Sequence, residues 1–104
     1  MYMFCFHVPA THLEQVKNAI FAAGAGIVGN YSHCSWQVLG QGQFKPLAGS
    51  NAFIGELDQL ETVSEYKVET VCDDQCIHEV IHALKKAHPY ETPSYQVWPL
   101  ANFQ

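Results

Sequence analysis

The chain has 104 residues, 48% hydrophobic, 12% aromatic and 14% charged, which suits a single folded domain and argues against a disordered segment. Ten carboxylates oppose five lysines for a formal charge of −5, and there is no arginine. An acidic chain without arginine lacks the basic footprint of a nucleic-acid binder and the bidentate fork that grips phosphates, so no nucleic-acid partner is expected.

So much apolar surface is more than one small core hides, and a homo-oligomer is expected. No apolar run approaches the roughly 20 residues of a membrane span. The opening MYMFCFHVP has neither a basic region nor a small-residue cleavage site. The sequence therefore predicts a cytoplasmic domain with no membrane partner. Its cysteines (Cys5, Cys34, Cys72 and Cys76) form no CxxC pair and are expected to be reduced. Cys5 and Cys72 lie in apolar strand-like runs and read as small core residues.

Tyr2–Val8 is an aromatic, apolar run closed by Pro9 and predicts a strand. Thr11-His12-Leu13-Glu14 matches a capping box with Thr11 as the N-cap. Leu13, Val16, Ala19, Ile20 and Ala23 recur at helical spacing until Gly24 and Gly26 end the helix. Tyr31–Leu39 predicts a second strand with Trp36 and Val38 on one face. Gly40, Gly42, Pro46, Gly49, Asn51 and Gly55 then predict an irregular loop over residues 40–60 with a functional or interface role. Val63–Cys72 alternates as a third strand. Asp73 and Asp74 are placed to cap a second helix with Ile77, Val80, Ile81 and Leu84 as its buried stripe. His88-Pro89 ends that helix, and Tyr95–Leu100 is the last strand.

The order β-α-β-β-α-β predicts one α+β domain over residues 1–104, ferredoxin-like, a four-stranded antiparallel sheet with both helices on one face. The bare face takes one of two alternating strand sets, Tyr2/Phe4/Phe6 or Trp36/Val38/Trp98. Either is bulky enough to need cover, and another subunit supplies it at least expense.

This topology brings His7, His12, the long loop and His88-Pro89-Tyr90-Glu91 to one sheet edge. His12, His88 and Glu91 are the candidate metal ligands, with imidazole nitrogen and carboxylate oxygen suited to Zn²⁺ or Cu²⁺. In the competing reading His88 and Glu91 pin the helix-to-strand turn while Tyr90 packs inward. The opposite edge takes His33, Cys34 and Cys72, a weaker ligand set.

His78-Glu79-Val80-Ile81-His82 is a literal HExxH, and His88 falls where the longer zinc-protease pattern has its third ligand. Lys85 occupies the glycine position of that pattern, and the buried stripe leaves His78 and His82 on the outer side. The pair therefore reads as a site for adventitious Ni²⁺ or Zn²⁺. Gly24–Gly29 reads GxGxxG but follows a helix and precedes a strand, the reverse of a phosphate-binding loop. Cys34 and His33 are neighbours that would point to opposite faces of a strand. No catalytic residue is assigned.

The run HPYETPSYQVWPL (His88–Leu100) resembles the HPYExPE signature of the CutA family, small trimeric ferredoxin-like proteins linked to divalent-cation tolerance and related in fold to PII signalling proteins. Val8–Gln37, Gly40–Gly55 and Ala87–Tyr95 resemble the PII/CutA-like module of the YqfO/YbgI (Nif-three-like) family, and the module is expected to stand alone here. In larger members that module is inserted into a protein with a dinuclear metal site, which this chain does not carry. The resemblance implies a trimer, with a dimer as the alternative, and binding of a divalent cation or small molecule. By motif it implies Tyr31 and Cys34 of GNYxxC, and His88, Tyr90 and Glu91 of HPYE, as ligand-binding positions. Three functional readings follow: a non-enzymatic oligomeric module that binds a metal or small ligand, a structural module that binds a protein partner, and a metal-dependent hydrolase.

Overall fold

Alternation along the first strand decides which sheet face the helices cover. The computed structural model describes residues 1–103. It contains β1 (Tyr2–Pro9), a 3-10 turn (Ala10–His12), α1 (Leu13–Ala22), β2 (Ser35–Phe44), β3 (Glu61–Cys72), α2 (Ile77–Ala87) and β4 (Tyr95–Pro99). The sheet order is β2-β3-β1-β4 with every neighbouring pair antiparallel. The expected ferredoxin-like β-α-β-β-α-β arrangement is therefore present.

Phe4, Phe6 and Val8 of β1 are wholly buried, and they cluster with Val68 of β3, Leu13, Val16 and Ile20 of α1, and Ile77, Val80 and Leu84 of α2. Both helices thus lay their 3.6-residue stripes on the period-2 stripe of the sheet. In register, Phe6 lies opposite Val68 on one side and Tyr95 on the other. The other strand set faces away from the helices, leaving Trp36, Val38 and Trp98 at 60%, 44% and 43% exposure. Cys5 and Cys72 are buried as expected. Burial raises the Cys5 thiol and pushes Cys72 to about 11, with Cys76 and Asp73 adding to the latter. Both are therefore unreactive neutral thiols at physiological pH.

Neither predicted helix cap forms. Thr11 Oγ1 meets His12 Nδ1 at 2.8 Å and the Glu14 carboxylate pairs with Lys17 at 3.0 Å, so both halves of the capping box are engaged elsewhere. Residues 10–12 make a 3-10 turn instead, and α1 starts from His12 with no side-chain cap. At α2 the Cys76 N–H donates to the Asp73 carbonyl (3.0 Å), and Asp74 reaches the Met1 amine (2.6 Å). Cys76, not either aspartate, is the N-cap residue. Thr11→Ala is accordingly expected to change stability by less than about 0.5 kcal/mol, where a capping threonine would cost about 1 kcal/mol. Urea unfolding of the two proteins reads the difference, and a loss at the larger value would show that a cap does form in solution.

The second strand starts later and runs further than expected. Val28 and Tyr31 exchange two backbone hydrogen bonds of 2.9 Å in a tight turn, with Gly29 and His33 at positive φ, so extended pairing begins only at Ser35. It then continues through Gly40 and Gly42 to Phe44, and β3 begins at Glu61. Gly42 leaves room for the Glu65 carboxylate lying across it, which a Cβ there would push aside. The irregular loop is therefore 45–60. β1 pairs with β3 only over Glu65–Cys72, whereas β2 pairs with it down to Glu61. The ends of β2 and β3 thus project as a two-stranded ribbon, and the molecule measures 50 × 24 × 24 Å.

Candidate functional site at the HPYE edge

His88 is placed by proline chemistry. Pro89 disfavours helical geometry in the residue before it, and His88 accordingly turns extended (φ −70°, ψ 136°) directly after α2. Its ring is buried at 5% exposure. The Tyr90 N–H donates to its Nδ1 (3.1 Å), so the ring proton sits on Nε2, which donates to the His7 carbonyl (2.7 Å). Burial lowers the pKa of His88 below the usual histidine value, against the opposing pull of the His7 carbonyl and Glu65. A neutral imidazole with both nitrogens engaged stitches the helix-to-strand turn to β1. The His7 N–H completes the stitch by donating to the Ser94 carbonyl (3.1 Å).

The loop 45–60 folds back onto this turn. The Asn51 N–H donates to Glu91 Oε1 (3.1 Å), and the Phe53 ring meets His12 edge-on, with centroids 5.3 Å apart. Tyr90 lies among His88, Phe44 and Phe53, at centroid distances of 4.9, 6.0 and 6.4 Å. Between ribbon, loop and turn is a cavity of about 270 Å³ whose walls include Phe44, Pro46, Phe53, Glu65, Tyr90 and Glu91. The Tyr90 hydroxyl is buried without a well-formed hydrogen bond among the described residues. Burial first, and then the nearby Glu65 carboxylate, raise its pKa above that of a free phenol.

The structure thus brings His7, His12, the loop and the HPYE run to one edge, as the topology implied. It does not make a metal centre of them. Among the described residues no group of three or more His, Cys, Asp or Glu side chains is placed to hold a metal ion. Of the trio His12, His88 and Glu91, His88 has no free nitrogen and Glu91 accepts from the loop backbone. His78, Glu79 and His82 are exposed on the outer side of α2, as expected.

The five motif positions do not converge. Tyr31 is 76% exposed in the Val28–Tyr31 turn. The neighbouring Cys34 is held by Thr70 Oγ1, which donates to its carbonyl (2.6 Å), and by its own N–H to the Gly26 carbonyl (2.9 Å). Thr70 pairs with Phe4, near the start of β1, whereas His88 bonds to His7 near its end. Tyr31 and Cys34 therefore stand at one end of the sheet and His88, Tyr90 and Glu91 at the other. Sequence reasoning missed Phe44, Phe53 and Glu65 as cavity residues. The available signal was a pair of aromatics flanking and entering a glycine-rich loop.

A β-α-β-β-α-β sandwich with this strand order and a projecting β2–β3 ribbon is a CutA/PII-like ferredoxin-like domain. The periplasmic divalent cation tolerance protein CutA from Archaeoglobus fulgidus superposes with TM-score 0.68 over all of this chain and 88% of its own, at 16% identity. CutA1 from Pyrococcus horikoshii does so with TM-score 0.71 over all of this chain and 87% of its own, at 12% identity. At such identities the likeness is one of fold.

The chain is homologous over most of its length to the NIF3-related proteins named GTP cyclohydrolase 1 type 2 homolog. It is 46% identical to that of Halalkalibacterium halodurans over 102 residues, 98% of this chain and 27% of that protein. It is 46% identical to that of Bacillus subtilis over 94 residues, 90% of this chain and 25% of that protein. The crystal structure of a Bacillus cereus protein related to NIF3 matches with TM-score 0.82 at 42% identity, over 97% of this chain and 26% of that one. The chain therefore spans about a quarter of the length of the relatives it matches. No family model matches the sequence. Among the described residues no helix is long and apolar enough to cross a membrane.

Proposed function

We propose that this NIF3-related, CutA-like module is a non-enzymatic, oligomeric domain that binds a small ligand in the cavity over Tyr90. The observation that carries the reading is the cavity itself. Its apolar walls and few convergent polar groups, the buried Tyr90 hydroxyl beside the Glu65 carboxylate among them, are the pattern of a small-molecule site. The cyclohydrolase wording in the relatives' names concerns proteins about four times as long, and no reaction is assigned to this chain.

The CutA neighbour is named for divalent cation tolerance. The donor set at this edge does not suit a resident metal, because using His88 would break two hydrogen bonds of a buried ring. The exposure of Trp36 and Val38 on β2 and of Trp98 on β4 supports oligomerisation through the bare face. CutA resemblance favours three copies. The second reading, an interaction module for another protein, rests on that same face.

Native mass spectrometry of tag-free protein purified without metal-affinity resin tests the proposal. An assembly of defined size, with no chelator-sensitive mass and none gained from added Zn²⁺ or Cu²⁺, is expected. A stoichiometric, chelator-sensitive ion lost in Glu91→Ala would restore the His12/His88/Glu91 metal assignment. A monomer would remove the oligomeric reading. An assembly that falls apart when Glu91 is changed and binds no small molecule would move the assignment to the interaction module.

A further inference from the structure

The charges around the Tyr90 cavity narrow the chemistry of its occupant, an inference that rests on the proposal of a small-ligand site there. Two carboxylates, Glu65 and Glu91, line the cavity, and no lysine, arginine or histidine does. Neither carboxylate has an ion-pair partner among the described residues. Glu91 is partly satisfied by the Asn51 N–H, and the Glu65 carboxylate lies beside the buried Tyr90 hydroxyl with no cation paired to it among the described residues. Gly42 leaves the space in which the Glu65 carboxylate lies. An anion brought here would meet like charge in a partly desolvated site.

Three aromatic rings also line the cavity. Phe44 and Phe53 flank Tyr90 with ring centroids 6.0 and 6.4 Å from its own. Ring faces attract cations, and the attraction grows when water is excluded. A transition ion instead needs at least three well-placed donors, and the described residues place no group of three or more His, Cys, Asp or Glu to hold one. Two carboxylates, a phenol and two phenylalanine rings around about 270 Å³ suit a charged head with an apolar body attached.

We infer that the cavity bounded by Phe44, Phe53, Glu65, Tyr90 and Glu91 is a site for a small organic cation, an ammonium head on an apolar or aromatic body. The head pairs with the Glu65 carboxylate and the Tyr90 hydroxyl, and the body packs between the two phenylalanine rings. The same chemistry is offered by a free amine or by a lysine side chain of a neighbouring copy.

Three probes of one shape and different charge test this on the full chain: 2-phenylethylamine, 3-phenylpropionate and 2-phenylethanol. They are titrated while the amide resonances of Asn51–Ile54, Tyr90–Thr92 and Ser94 are followed by NMR. The amine is expected to bind saturably at these residues, with the carboxylate at least about tenfold weaker, a difference of one charge-assisted contact. Glu65→Gln is expected to weaken the amine about tenfold, and Phe53→Ala, on an exposed loop, to weaken it severalfold. The loop variant keeps the test open if Glu65→Gln does not fold. Binding that leaves the assembly size unchanged supports a free amine as occupant, and binding that dissociates the assembly supports a neighbour's lysine.

Preference for the carboxylate, or amine affinity unchanged in the variants, overturns the inference. If the anionic or neutral probe alone occupies the cavity, the organic-cation assignment fails and the small-ligand site stands. If none of the three binds there, both fail.

Discussion

His88→Ala is expected to lower the unfolding free energy by about 3 kcal/mol, through two lost hydrogen bonds and the two backbone groups they leave unpaired in a buried place. For a domain of this size that is a fall in Tm of about 15 °C. The orphaned groups are the His7 carbonyl on β1 and the Tyr90 N–H at the start of the turn. The same change removes the ring that packs on Tyr90, so the cavity loses its support from beneath. Differential scanning calorimetry checks the first effect, and a loss under about 1 kcal/mol would show that the stitch is not formed in solution.

A pH signature follows from the same residue. Burial holds the folded-state pKa of His88 below its ordinary value of 6.5. As pH falls, the unfolded chain takes up the proton first. His88 therefore contributes a stability that is fully present above about 6.5 and declines between that value and the lower folded pKa. His88→Gln has no such proton to take. The gap in Tm between parent and variant is expected to narrow as pH is lowered from about 7.5 to about 5. A gap that stays constant or widens would mean that the ring is not buried neutral.

Phe6→Ala is expected to be the most damaging single truncation, at about 3–5 kcal/mol. Phe6 is wholly buried where β1 meets both helices, pairs with Val68 and Tyr95 across the sheet, and meets Phe4 in a tilted ring contact with centroids 5.9 Å apart. Removing its ring leaves a void that strands held on both sides cannot close, so the transfer loss and the cavity loss add. Phe103→Ala serves as the control, since that ring is 93% exposed and its loss is expected to fall within about 0.5 kcal/mol of zero. The denaturation midpoints of the two variants read the contrast directly. Similar midpoints would show that burial of β1 does not dominate the core.

Local pattern and tertiary contact contributed differently to what could be foreseen. The helix-free face was foreseeable as one of two strand sets, but alternation alone is symmetric: Tyr2/Phe4/Phe6 and Trp36/Val38/Trp98 are equally apolar. The side taken by the helices breaks the tie. The caps failed for a related reason. Thr11 and Asp74 have the chemistry of N-caps, yet each has a partner brought to it by its neighbour or by the sheet, and a side chain engaged in one hydrogen bond is not free for the other. Gly40 and Gly42 read as loop because glycine weakens strands. They are strand residues here, since Gly42 makes room for a glutamate that arrives from residue 65, across a register no local window contains.

By itself the sequence determined the element order, the two helix stripes, the stop at His88-Pro89 and the kinship with the NIF3-related module. All of these depend on neighbours a few residues apart or on motif wording. The tertiary structure alone decided that the GNYxxC and HPYE residues stand at opposite ends of β1, and that His88 spends both nitrogens on the backbone. It alone gathered Glu65 with Phe44, Phe53 and Tyr90 around one cavity. Those outcomes depend on strand register and loop return, which join residues up to 81 positions apart. Periodicity says which face a side chain takes, but not which distant side chain it will meet there.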